Sequence, residues 1–133
     1  MKREIIFRGK RIDNGEWVEG SLLITKFNTY IIPMYDEFIS YQSPISVDSE
    51  TIGQFTGLPD KNGVKIFEGD ILLSESWGSN ARSKRKPHIV EWGRIGWLAS
   101  GYNGDMVVKP SLDVKSDWQV IGNIHDNKEL IKK

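Results

Sequence analysis

Cysteine is absent from the 133 residues, and histidine occurs only twice. The absence of cysteine excludes disulfides, thiolate metal sites and cysteine nucleophiles, and it suits a reducing cytoplasm. An excess of charge of one sign is also absent, because eighteen basic and eighteen acidic side chains cancel. A balanced chain does not bind polyanions through its bulk charge, so any contact with nucleic acid needs a local basic patch.

Long hydrophobic runs are missing as well. The apolar run Ile5-Ile6-Phe7 is interrupted at once by Arg8 and Lys10. It is too short for the core of a signal peptide or for a membrane helix. The sequence therefore predicts a soluble, intracellular protein that does not bind membranes.

Helical periodicity is scarce, whereas short apolar runs separated by Gly, Asn, Asp and Pro are frequent. This pattern is typical of an all-β domain, and 133 residues fit one domain, residues 1–133. Asn-Gly pairs tolerate the positive φ of tight hairpin turns. They predict turns at Asn14-Gly15, Asn62-Gly63 and Asn103-Gly104.

The same pattern predicts the strands themselves. They are expected at residues 4–12, 16–25, 28–34, 51–55, 64–67, 71–74, 88–92, 95–99, 105–108 and 117–124. A loop is expected over 36–50, a two-residue Gly93-Arg94 turn between the strands at 88–92 and 95–99, and a final helical turn capped by Asp126 or Asn127. Alternation predicts that Val18, Gly20, Leu22 and Ile24 share one face.

Turn signals are densest in residues 53–72, GQFTGLPDKNGVKIFEGDIL. Pro59 presets φ for the second position of a turn. Gly69 lets the backbone bend, and the Asp70 carboxylate is expected to accept a turn N–H.

Glu68 and Asp70 also offer an alternative, since two carboxylates near a turn can help to hold a divalent cation for phosphoester cleavage. That chemistry needs a third ligand. Glu50, Glu91 and Asp105 are available, but no spacing ties them to the pair. His88 and His125 are expected to be ordinary surface or half-buried residues, because no metal-binding spacing relates them. The pattern therefore favours turn chemistry, and it implies neither a cofactor nor a metal.

The most distinctive polar feature is the basic loop 82–88. Its cations are Arg82, Lys84, Arg85 and Lys86, and Trp77 lies at its base. Such a loop could bind a phosphate backbone without sequence preference, with Trp77 as an exposed contact. The alternative is a solvated connection whose charge aids solubility. The other strand tryptophans, Trp17, Trp92 and Trp118, are expected in or near the core.

Four blocks of the sequence resemble the phage and prophage family named after YopX. They are MKREIIFRGKRIDNGEWVEGSLL, ETIGQFTGLPDKNGVKIFEGDIL, VEWGRIGW and WQVIGNIHDNKEL. The second block is the most specific, with a GQ-aromatic-TGL-x-D-x-NG run followed by hydrophobic-aromatic-EGDI. The last block reads NKEL where the family usually has NPEL, and residues 26–49 and 74–88 resemble the family less.

The resemblance implies a small SH3-like β-barrel with long loops, and it implies no assigned activity. Together with the residues, it predicts a phage-derived, non-catalytic binding or assembly module. Its partner would be another protein or a second copy of the chain. The alternatives are a metal-dependent phosphoesterase and a weak nucleic-acid binder.

Overall fold

The structure is a computed structural model that describes residues 4–33, 43–74, 87–94, 96–103, 106–108, 111–112 and 117–131. Several predicted features lie outside these ranges, namely Trp77, the four cations of the basic loop, Gly104 of the third Asn-Gly turn, Asp105 and the first half of the 36–50 loop. None of the helices in the described ranges is long and apolar enough to cross a membrane.

The chain divides into two compact units, Met1–Phe55 and Thr56–Lys133, called here the N-terminal and C-terminal units. One domain for the whole chain stays a prediction. The N-terminal unit contains four antiparallel strands and the start of a fifth. These strands are β1 (Phe7–Lys10), β2 (Trp17–Ile24), β3 (Thr29–Pro33), β4 (Ile45–Ser46) and β5 (Gly53–Pro59).

The long strand β2 organises the N-terminal unit. Its first half, up to Gly20, pairs with β1, and its second half, from Gly20 onwards, pairs with β3. A Cβ at Gly20 would overlap the carbonyl oxygen of Ile32, so the backbones come together there more closely than a side chain allows. The pairing order in this unit is β4-β3-β2-β1-β5. On β2, Gly20 is buried and Leu22 half-buried, while Ile24, which shares their face by strand alternation, is 68% exposed.

The C-terminal unit is also antiparallel. Its strands are β6 (Lys65–Phe67), β7 (Asp70–Leu73), β8 (His88–Gly93), β9 (Gly96–Asn103), β10 (Met106–Val108) and β11 (Gln119–Asn123). β6 follows β5 in the first sheet, and the others form a second sheet in the order β10-β9-β8-β7-β11. Its core is a cluster of five buried apolar side chains, Ile66, Leu72, Val90, Ala99 and Trp118.

The all-β prediction is confirmed, since both sheets are antiparallel and the helical segments are two short 3₁₀ turns in the described ranges. Neither sheet closes into a barrel there, because each strand order is linear. The predicted loop 36–50 is wrong in its second half. That part contains β4 and a 3₁₀ turn, Ser49–Thr51. Asp48 caps the 3₁₀ turn, because its carboxylate accepts the N–H of Glu50. A second 3₁₀ turn, Lys128–Ile131, follows Asn127.

The hairpin of β8 and β9 differs from its predicted register. Gly93 pairs with Gly96, so the loop begins one residue later than the predicted Gly93-Arg94 turn. Trp92 is 61% exposed, and its prediction as a core residue is wrong. It alternates onto the same face as His88 and Val90. However, the β7–β8 pairs end at Ile89, so this part of the hairpin extends beyond β7.

Candidate binding surface

The predicted turn residues occupy conformations that need glycine. Gly15, Gly63 and Gly69 have φ of 73°, 83° and 89°, values that side-chain-bearing residues rarely adopt. Asn14 stabilises its turn, because its side-chain oxygen accepts the N–H of Glu16 at 2.9 Å. At the third turn, Oδ2 of Asp70 accepts the N–H of Phe67 at 2.7 Å.

The turn at Asn62-Gly63 depends on the carboxylate of Asp60, which also lies in the motif of the second sequence block. Oδ1 of Asp60 accepts the N–H groups of Asn62 and Val64, and Oδ2 accepts the N–H of Val120 at 2.9 Å. Asp60 is 7% exposed. Burial acts to raise its pKa, but the three N–H donors outweigh burial and hold the pKa below its ordinary value. Asp60 thus joins this turn to β11.

Among the described residues, Glu68 and Asp70 belong to no group of metal ligands. Asp70 is 1% exposed and Glu68 is half-buried. Within the described ranges, no three His, Asp or Glu side chains form a group that could hold a metal ion. The Asp70 contact in the structure is therefore that of a carboxylate within a turn.

His88 is fully buried, which corrects the prediction of a surface or half-buried residue. Its ring lies 5.0 Å from that of Trp118, and a Cβ at Gly101 would come within 2.5 Å of the imidazole. In the same unit, the Ser74 hydroxyl donates a hydrogen bond of 2.5 Å to Oδ1 of Asp117. His88 therefore packs in the interior of the C-terminal unit, while His125 is half-buried.

The N-terminal unit has an open pocket of about 470 Å³. Three stretches at strand ends and turns line it. They are the end of β1 with the turn that follows it, the β2–β3 turn, and the segment after β4. The lining residues are Lys10, Arg11, Ile12, Gly15, Phe27, Asn28, Thr29, Val47, Asp48 and Ser49.

Backbone hydrogen bonds hold these stretches together. The N–H of Asp48 donates to the carbonyl of Lys10 at 2.8 Å, and the N–H of Val47 donates to the carbonyl of Thr29 at 3.0 Å. Thr51 adds a side-chain contact, since its Oγ1 accepts the N–H of Lys10 at 2.8 Å. The pocket walls are therefore fixed relative to one another, which lowers the entropy cost of binding.

Two large apolar side chains in this lining point into solvent. Phe27 is 83% exposed and Ile12 is 65% exposed, whereas Val47 is 2% exposed. The Phe27 turn is tight, because Thr25 and Asn28 exchange hydrogen bonds of 2.9 to 3.1 Å across it. Apolar groups held in water beside a pocket are typical of interaction surfaces.

Charges of both signs surround the pocket. The Arg11 guanidinium binds the Asp13 carboxylate with two hydrogen bonds of 2.9 and 2.7 Å, and these lower the pKa of Asp13. Lys26 lies 5.6 Å from the centre of the Phe27 ring. Asp48 lies in the lining itself.

A second aromatic residue lies under cations in the same unit. The Arg8 guanidinium carbon is 4.7 Å, and the Lys10 ammonium 5.6 Å, from the centre of the Trp17 ring. Trp17 is half-buried. Lys10 belongs to both features.

Sequence analysis missed this surface. Phe27 lies between the predicted strands 16–25 and 28–34, and an aromatic residue in the polar turn Thr25-Lys26-Phe27-Asn28 is the sequence signal for an exposed contact. The prediction for Trp77 and the four cations of the basic loop lies on residues that the structure does not describe.

A family model described as YopX protein matches residues 6–132. Among solved structures, the crystal structure of protein EF1440 from Enterococcus faecalis is similar, with 28% sequence identity and a TM-score of 0.58. That match covers 98% of this chain and 100% of the other. No curated protein sequence matches.

Proposed function

The chain belongs to the YopX family, and on that basis we propose that it is a non-catalytic binding or assembly module. The observation that carries the proposal is the preformed pocket of the N-terminal unit, with Phe27 83% exposed at its rim. A folded chain gains nothing in water from an aromatic side chain held in solvent, whereas a partner that covers the ring removes its apolar area from water.

The mechanism we propose is recognition by a surface, with no chemical step. Phe27 and Ile12 supply apolar contact area at the rim, and the fixed backbone around Asp48 preserves the shape of the pocket. Binding energy at such surfaces is concentrated in a few buried aromatic and aliphatic anchors. Phe27 is the anchor in this proposal.

The finer fold description, a small SH3-like barrel, also remains a proposal. Two features of the N-terminal unit support it. The segment after β4 bonds to β3 through Val47 and to β1 through Asp48, and an isolated bridge joins Val47 to Arg11. Gly20 allows close backbone approach where β2 changes partner, and such glycines are common at barrel corners.

A phage or prophage origin and a location in the host cytoplasm complete the proposal. The resemblance of the four sequence blocks to a phage family supports the origin. The absence of cysteine is compatible with a reducing compartment.

Affinity capture tests the binding function. The wild-type chain, Phe27→Ser and Val64→Ser are immobilised at equal density and exposed to lysate from a host that carries the prophage. Val64 is the matched control, because it is 49% exposed but lies in the C-terminal unit. We expect specific proteins to be retained by the wild type and Val64→Ser, and to fall at least about tenfold on Phe27→Ser.

Retention of the same proteins in equal amounts by all three chains would show that the pocket rim is not the binding surface. Circular dichroism of each variant is the control for folding. Phe27→Ser should not affect it, because this side chain is mostly in solvent.

A further inference from the structure

We propose that the pocket and its rim bind a second copy of this chain, so that the protein forms a two-fold dimer through the N-terminal unit. The inference rests on the proposed binding function and names its partner. The surface is defined by the pocket lining, together with Lys26 and Glu50, which are adjacent in sequence to Phe27 and Ser49.

The shape of the surface is complementary to itself. It carries a projecting aromatic side chain, Phe27, directly beside a pocket whose inner wall includes the buried Val47. A two-fold contact places the same patch on both sides, so each Phe27 can enter the pocket of the other copy. A volume of about 470 Å³ is within the range of pockets that accept whole ligands, and it can receive one aromatic ring.

The charges are self-complementary too. Lys26 contributes a positive charge next to Phe27, and Asp48 and Glu50 contribute negative charges next to Ser49. A two-fold axis brings two opposed patches of this kind together, which allows Lys26 of each copy to approach the carboxylates of the other. The zero net charge of the chain removes the overall repulsion that would oppose association.

Other occupants fit these charges less well. A nucleic-acid backbone in the pocket would meet the carboxylate of Asp48, and the guanidinium of Arg11 is already bound to Asp13. A strongly acidic or strongly basic protein would be repelled by part of the patch. A copy of the same chain presents both signs on the same patch, with Lys10, Arg11 and Lys26 positive and Asp48 and Glu50 negative.

The first test is the oligomeric state of the purified full chain. Sedimentation equilibrium from micromolar to submillimolar concentration is expected to show a monomer–dimer equilibrium for the wild type and for Val64→Ser. Phe27→Ser and Ile12→Ser are each expected to weaken dimerisation at least about tenfold. Two separate rim variants are compared so that a folding defect in one of them is not mistaken for a loss of dimerisation.

The second test exchanges charges between two chains. Lys26→Glu places like charges across the two-fold contact in its own homodimer, and Glu50→Lys does the same with the opposite sign. Each variant alone is expected to be monomeric where the wild type is dimeric. An equimolar mixture should form a heterodimer, because both cross-contacts then pair opposite charges.

The outcomes separate this inference from the function on which it rests. A wild-type chain that is monomeric throughout, or dimers that Phe27→Ser and the charge exchange leave unchanged, would overturn the dimer. If capture from lysate still depended on Phe27 in that case, the binding function would stand with another protein as partner. A salt-sensitive gel shift lost in Phe27→Ser would identify nucleic acid as the occupant and would also overturn the dimer.

Discussion

Aspartate side chains in this protein close turns by accepting backbone N–H groups. Asp48, Asp60 and Asp70 each do so, and the bonds range from 2.7 to 3.0 Å. The local bonds could be predicted, because an Asp within a turn reaches the amide two to four residues away. The bond from Val120 to Asp60 crosses 60 positions of sequence, and no local pattern contains it.

Replacing Asp60 tests how much this carboxylate stabilises the C-terminal unit. Asp60→Ala leaves three N–H groups without their acceptor, and the expected loss in free energy of unfolding is about 3 kcal/mol. Urea unfolding measures it. Asp13→Ala is the control, since Asp13 is exposed and its loss should leave the midpoint unchanged. An unchanged midpoint for Asp60→Ala would refute the role of the carboxylate.

The lowered pKa of Asp60 predicts acid sensitivity. Its folded-state pKa lies below the ordinary value of 3.8, so the unfolded chain binds the proton more readily. The stabilisation is complete well above 3.8 and is lost as pH falls through the lower folded value. We therefore expect the stability difference between wild type and Asp60→Asn to be constant at neutral pH and to shrink in this acid range. Urea titrations at a series of pH values measure it, and a difference that grew in acid would contradict the sign.

Asp70→Asn distinguishes a turn carboxylate from a catalytic one. The Asp70 carboxylate is buried and accepts the Phe67 N–H, so the substitution should destabilise the fold by about 1 to 3 kcal/mol. An exposed carboxylate, Glu19, provides the control substitution Glu19→Gln. A variant at least as stable as the wild type would favour a catalytic role, because active sites sacrifice stability for function.

At the scale of elements, β2 shows what limits prediction from alternation. Its two hairpin partners were expected from the Asn-Gly turn and the neighbouring apolar runs. The change of strand partner at Gly20 could not be predicted from alternation, because it depends on the approach of the β3 backbone. The β8–β9 register was missed for a related reason: Gly93 and Gly96 are both compatible with tight turns, and only the pairing distinguishes them.

Gly20→Ala tests the close approach. Its methyl group would overlap the Ile32 carbonyl oxygen, and a backbone atom cannot move aside as a flexible side chain can. The expected cost is about 3 kcal/mol, at the upper end for overpacking. Thermal or urea unfolding measures it, with Ser21→Ala at the exposed neighbouring position as control. Equal stability of the two variants would mean that β2 and β3 separate easily at this point.

At the scale of the whole molecule, the proposed non-catalytic function has a test of its own. A cation that binds only the folded protein raises its melting temperature by mass action. We expect Mg²⁺ and Mn²⁺ at millimolar concentration to leave the melting temperature unchanged and to support no cleavage of generic phosphoesters. A rise in melting temperature that Asp70→Asn abolishes would instead support the metal-dependent enzyme.

The confirmed resemblance to the YopX family and the confirmed all-β class came from the sequence alone. Glycine and asparagine indicate where the chain can turn, and the short apolar runs between turns favour strands. The family resemblance and the all-β class could both be predicted because they depend on local sequence. The tertiary structure alone decided which side chains are covered. Phe27 and Trp92 are exposed while His88 is buried, because burial depends on neighbours that are distant in sequence. The pocket exists for the same reason: hydrogen bonds between the segment after β4 and two other strands bring its walls together.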